Sequence, residues 1–98
     1  MPTRTTDELL TKKEEIRKIG KEHGARNVRL FGSFAKGAAS ESSDVDILVE
    51  LKEGRTLLDL VAIKQDLEDL LGRPVHVVTA SSLSPYFRDD ILKEAVSL

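Results

Sequence analysis

Two aspartates stand two residues apart in Ser43-Asp44-Val45-Asp46-Ile47-Leu48-Val49. On an extended strand such residues share a face, roughly 6.6 Å apart along the chain. Carboxylates so placed can converge on one hard cation. Mg²⁺ is commonly held by one or two carboxylates, with substrate phosphate oxygens completing its shell. Upstream, the apolar run Leu30-Phe31 ends in Gly32-Ser33. Glycine allows close backbone approach, and a helical turn after it would offer N–H groups and the Ser33 hydroxyl to an anion. Lys36 adds a cation that could pair with phosphate oxygens. Each feature alone has a plain alternative. Asp44 also reads as a turn residue, Asp46 as a solvent-exposed one, Gly32-Ser33 as a strand-ending turn and Lys36 as a solvated lysine.

His76, in Val75-His76-Val77, could ligate a metal, though imidazole suits Zn²⁺, Cu²⁺ or Ni²⁺ better than Mg²⁺. It could also serve as a general base near neutral pH. The bland alternative is a strand histidine with no chemistry. Glu50 lies on the same strand face as the aspartates and is a weaker candidate carboxylate. His23 reads as a helix-terminal residue rather than a ligand. Asp89 and Asp90 read as solvent-facing.

The elements that must position these groups follow from the pattern. Thr5-x-x-Glu8 has the form of a capping box opening a first helix. Leu9, Leu10, Ile16 and Ile19 supply its apolar side, and Gly20 or Gly24 ends it. Val28–Phe31 is a short strand. Residues 33–43 have loop composition, with room for one helical turn after Gly32. From Asp44 to Leu51 the chain alternates, with Val45, Ile47, Val49 and Leu51 on one face. Leu57 to Leu71 is an amphipathic helix whose stripe reads as Leu57, Leu60, Val61, Leu67, Leu70 and Leu71, closed by Gly72 and Pro74. Val75–Val78 is a third strand, rich in β-branched residues. Ser84-Pro85 opens a last helix running to about Val96. Tyr86 and Phe87 on that helix read either as a partner surface or as rings packing it onto the sheet. The order predicts an α/β (α+β) fold, a small mixed β-sheet packed with helices.

The chain has 98 residues, fitting a single domain over 1–98, with one Tyr, three Phe and no Trp, so aliphatics must build the core. The formal net charge is −2. That balance gives no general affinity for nucleic acid backbones or anionic lipid, although it is compatible with a local basic patch. No cysteine is present, which excludes disulfides and thiolate metal sites. No apolar stretch approaches the ~18 residues of a membrane span, and the first residues lack a signal-peptide pattern. A cytoplasmic protein is expected.

Taken together, Gly32-Ser33-Phe34-Ala35-Lys36-Gly37, the small-residue loop and Asp44-Val45-Asp46 resemble the signature of the DNA polymerase β-type nucleotidyltransferase superfamily. The minimal, single-domain prokaryotic members are most similar. Leu71-Gly72-Arg73-Pro74-Val75 and Ser82-Leu83-Ser84-Pro85-Tyr86 extend the likeness, so it covers about Val28 to the end. The resemblance implies a polymerase β palm-like fold in which Gly32, Ser33 and Lys36 bind a nucleoside triphosphate. Asp44 and Asp46 would hold Mg²⁺, an acceptor hydroxyl would attack the α-phosphorus, and pyrophosphate would leave. The chain departs from the pattern twice. Lys36 stands where Arg is usual, losing the bidentate fork. His76 stands where a third carboxylate usually completes the metal site, which puts turnover in question. A chain this short leaves no room for an acceptor-binding domain, so nucleic acid is not expected as its direct substrate. The minimal family is typically paired with a HEPN-domain toxin, a helical protein. The resemblance therefore implies an antitoxin that neutralises its partner in a hetero-oligomer, by AMP transfer from ATP to a tyrosine, by binding, or by both.

Overall fold

The computed structural model describes residues 9–37 and 43–98. The Thr5–Glu8 capping box and most of the small-residue loop lie outside the described residues. The elements are α1 (Lys13–Glu22), β1 (Ala25–Phe31), β2 (Val45–Leu51), α2 (Leu57–Leu71), β3 (Val75–Thr79), a short 3-10 turn (Ala80–Ser82), α3 (Pro85–Glu94) and β4 (Val96–Ser97). The sheet runs β3-β2-β1-β4. β1 pairs antiparallel with β2 and β4, while β2 and β3 are parallel and joined by the α2 crossover. This is the expected mixed α+β architecture.

Two local features depart from the sequence expectation, and a third decides between the two glycines offered as the end of α1. β1 begins at Ala25 rather than Val28. Its polar start is carried through a bulge between Arg26 and Arg29, where Asn27 takes φ +52°. Asn tolerates that left-handed conformation better than most residues, so a turn former sits inside a strand. The last helix stops at Glu94, and Val96–Ser97 pairs with Leu30 and Arg29 as a fourth strand. Gly20 does not end α1 but lies buried inside it. A Cβ there would stand 2.9 Å from Val28 Cγ2, so the glycine sets how closely the helix sits on β1. The helix gives way at His23, followed by Gly24 at φ +78°.

The core forms where one sheet face meets α1 and α2. Ile16, Leu30, Ile47, Val45, Val49, Ile63, Leu67 and Val75 are fully buried there. Each such side chain stabilises the fold by roughly 1.5–3 kcal/mol relative to exposure. α2 is well specified at both ends. The Thr56 hydroxyl accepts from Leu58 N, and Asp59 accepts from Thr56 N at 2.9 Å. At the other end Gly72 adopts φ +68° and its N–H reaches Glu68 O. The buried stripe of α2 keeps Leu60, Leu67, Leu70 and Leu71 of the expected one, gains Ile63 and loses Leu57 and Val61. Ile63 and Leu67 fill the core with Leu60, Leu70 and Leu71 beside them, whereas Leu57 and Val61 face solvent. None of the described helices is long and apolar enough to cross a membrane.

Candidate active site

The sheet register brings the chemistry-bearing residues together. Phe31, the last residue of β1, pairs with Asp46, and Asp46 pairs on its other side with His76 of β3. Gly32 therefore leaves β1 directly beside the Asp46 side chain. It has φ +71°, and a Cβ built on it would run into Asp46 Oδ2. Two independent demands, a left-handed backbone and bare space against a carboxylate, thus fall on one glycine. After it the chain makes a single helical turn, with Lys36 N donating to Gly32 O at 3.2 Å and Gly37 N donating to Phe34 O at 3.3 Å. Ser33 is half-buried at the start of this turn.

Phe34 anchors the turn. Its ring is buried in the core, and the Arg73 guanidinium lies 5.2 Å above it. Arg73 Nη1 also donates to Ser43 O at 3.2 Å. One side chain from the α2–β3 connection thus grips both shoulders of the loop that joins Gly32 to Asp44. Sequence reading took Arg73 only as part of a Gly-Arg-Pro turn, since nothing local announces a contact some thirty residues away. Glu68, at the end of α2, was also unforeseen. It accepts from Lys64 Nζ at 2.9 Å and from Val75 N at 3.1 Å. Those bonds, the lysine's first, hold its carboxyl below the usual range and fix the start of the His76 strand.

Asp44 is exposed at the mouth of β2, whereas Asp46 is half-buried. Burial pushes the Asp46 carboxyl above its usual range; the His76 ring opposes this and the Asp44 charge adds to it. His76 Nε2 lies 3.0 Å from Asp44 Oδ2, with Val75 fully buried and Val77 packed against the core. The histidine thus joins the aspartates instead of turning away. Among the described residues no three His, Asp or Glu side chains are arranged to hold a metal ion by themselves. Two hard carboxylate donors remain, one of them poorly solvated beside a second negative charge. Such a pair fits Mg²⁺ completed by phosphate and water oxygens.

The other candidates fall elsewhere. Lys36 pairs with Glu94 of α3 at 3.5 Å, both side chains about half exposed. Glu50 accepts from Asn27 Nδ2 at 2.7 Å and pairs with Arg26, at the far end of β2 from the aspartates, so it does not substitute for a missing carboxylate. His23 caps α1 and meets Asp66 of α2 at 2.8 Å, a structural tie between helices. Asp89 and Asp90 are exposed. Tyr86 and Phe87 are 89% and 62% exposed, which removes the reading in which both rings pack α3 onto the sheet.

Comparison with known proteins gives a consistent picture. The nucleotidyltransferase domain model matches residues 12–98. A proposed protein adenylyltransferase of Methanocaldococcus jannaschii is 46% identical, over 88% of this chain and 92% of its own. A solved structure of a proposed minimal nucleotidyltransferase superposes with a TM-score of 0.87 at 44% identity, covering 95% of both chains. A toxin–antitoxin structure with AMP-PNP shares the fold at 22% identity, with a TM-score of 0.75, over 87% of this chain and 70% of that one.

Proposed function

The chain belongs to the nucleotidyltransferase domain family, in its minimal branch, and we propose that it is a Mg²⁺-dependent protein adenylyltransferase acting as an antitoxin. In this reading it moves AMP from ATP to a hydroxyl of a HEPN-type toxin and binds that partner in a cytoplasmic hetero-oligomer. The observation that carries the reading is the juxtaposition of Gly32 with Asp46, which sets a bare backbone turn against a carboxylate as a phosphate and metal site would need. The adenylyl specificity is supported by the name of the M. jannaschii relative. The toxin partner is supported by the toxin–antitoxin structure of the same fold.

Asp44 and Asp46 would hold Mg²⁺, which supplies neutralisation of phosphate charge and of the attacking and leaving oxygens. The protein's own groups do the rest. The bare Gly32 backbone and the Ser33 hydroxyl receive the phosphates, and Lys36 adds charge at the rim. The acceptor oxygen bonds to the α-phosphorus as the bond to the bridging oxygen breaks and pyrophosphate leaves. His76, beside the pair, is the side chain placed to take the acceptor's proton. Tyr86 and Phe87 offer the partner an exposed aromatic surface of the kind that concentrates interface energy.

One observation favours a second reading, in which the chain neutralises its partner by binding alone. His76 stands where a third carboxylate is expected and engages Asp44 at 3.0 Å. Transfer of radiolabelled AMP to the toxin encoded beside this chain separates the two. Calorimetry of ATP with Mg²⁺ on Asp44→Ala and Asp46→Ala, with circular dichroism as folding control, tests the site itself. Unchanged affinity in both variants overturns the site. Intact affinity in the wild type with no label on the toxin favours binding alone. Separate elution of co-expressed toxin at micromolar concentration removes the stable complex.

A further inference from the structure

A second feature lies at the opposite end of β1. The exposed face of α1 presents Arg17, Lys18 and Lys21 at helical spacing. Arg26 of β1 and Lys52 beyond β2 face them across a cleft of about 590 Å³. Five of the fifteen basic residues line this cleft, against one of the seventeen acidic residues, Glu14. The cleft therefore carries a formal charge of +4, and the rest of a chain of net charge −2 carries −6. Arg17 is partly offset by Glu14 at 3.6 Å and Arg26 by Glu50 at 3.6 Å. Lys18, Lys21 and Lys52 form no ion pair among the described residues and are exposed. Asn27, also in the lining, is five residues from Gly32, or roughly 16 Å along the strand. Phosphate held here would leave the aspartate site free.

We propose that this cleft binds the phosphate backbone of a single-stranded nucleic acid without reading its bases. Such segregation of positive charge on an acidic chain is the electrostatic footprint of backbone binding. Lysine is depleted at the cores of protein–protein interfaces, where aromatic anchors are enriched, and none of the four aromatic residues lines the cleft. The same lack of aromatics leaves no platform for stacking bases, so affinity is sequence-tolerant and salt-dependent.

The test is fluorescence anisotropy of a short labelled oligouridylate titrated with the full chain, without magnesium, between about 50 and 200 mM salt. Three unpaired lysines give a slope of log affinity on log salt of about −2, so binding should weaken about 20-fold over that range. Lys18→Gln with Lys21→Gln should reduce the weakening to about threefold, with the circular dichroism spectrum unchanged. An oligoadenylate should bind as oligouridylate does, and Asp44→Ala should bind as the wild type does. The proposal is overturned by no binding at the lower salt, by wild-type salt dependence in the double variant, or by a strong base preference. It is also overturned if inorganic triphosphate or polyglutamate displaces the oligonucleotide at equal charge concentration, since the site then belongs to a small polyphosphate or an acidic protein.

Discussion

Replacing Gly32 with alanine puts a methyl group against Asp46 Oδ2 and forces a side-chain residue into φ +71°. The two effects can be separated, because Gly72 has nearly the same backbone, φ +68°, and nothing within 4 Å of an added Cβ. Gly72→Ala therefore reports left-handed strain alone, about 1–2 kcal/mol. In a domain of this size that lowers Tm by roughly 4–8 °C per kcal/mol. Gly32→Ala should lose at least as much. It must also displace the Asp46 carboxylate or the turn that follows Gly32. Disturbing the groups that orient a metal ligand typically lowers metal affinity 10–100-fold, which is about 1.4–2.8 kcal/mol. Calorimetric titration with ATP and Mg²⁺ well below each Tm should show that loss in Gly32→Ala and wild-type affinity in Gly72→Ala. Equal affinities in the two variants, each measured as fully folded, would refute the view that Gly32 shapes the nucleotide site.

Asp46→Asn should raise the Tm of the metal-free protein at pH 7. Burial holds the folded Asp46 carboxyl above its unfolded value, so the native state is disfavoured as pH rises through that range, and removing the charge relieves it. Glu68→Gln should flatten the acid side of the stability profile. The folded carboxyl lies below its ordinary value of 4.5, so its contribution is present above that pH and is lost as pH falls through the folded value; urea midpoints against pH check this. His76→Asp should raise single-turnover AMP transfer at saturating Mg²⁺ at least tenfold, about 1.4 kcal/mol of barrier, with a smaller change in ATP affinity. A wild type already as fast makes His76 a working base or a bystander, and His76→Ala tells these apart by a collapse in rate or none.

Much of this arrangement is legible in the sequence because it is local. Asp44 and Asp46 alternate with Val45 and Ile47, so their shared face follows from strand geometry alone. The ends of α2 follow from Gly72 and from the onset of its leucines. What escaped is set by tertiary contacts. β4 is two residues long, too short for any period, and exists because β1 offers it an edge. The start of β1 is hidden by Asn27, whose left-handed backbone is stabilised inside a bulge. The leucine-rich first turn of α2 resembles a core stripe, but Leu57 and Leu58 stay exposed while Ile63 fills the core. The grip of Arg73 on Phe34 and Ser43 joins positions that no sequence window holds together.

Several costly local arrangements lie at the end of the sheet that carries the aspartates. Gly32 takes a left-handed backbone hard against a carboxylate, Asp46 is desolvated beside a like charge, and Asp44 leans on a histidine. A desolvated carboxylate kept where a bound cation would relieve it is the expected mark of a functional site. Lys36 fits the same logic. Its pairing with Glu94 at 3.5 Å joins two half-exposed side chains, and contacts of that kind contribute about 0–1 kcal/mol. A phosphate oxygen with localised charge competes readily against so weak a partner. Exchange of Lys36 from Glu94 to phosphate should therefore cost the fold little, and in the proposed site it would add a cation beside His76. If His76 does stand in place of a carboxylate, the proposed site should hold a single divalent cation more easily than two, and nucleotide binding should survive there better than turnover.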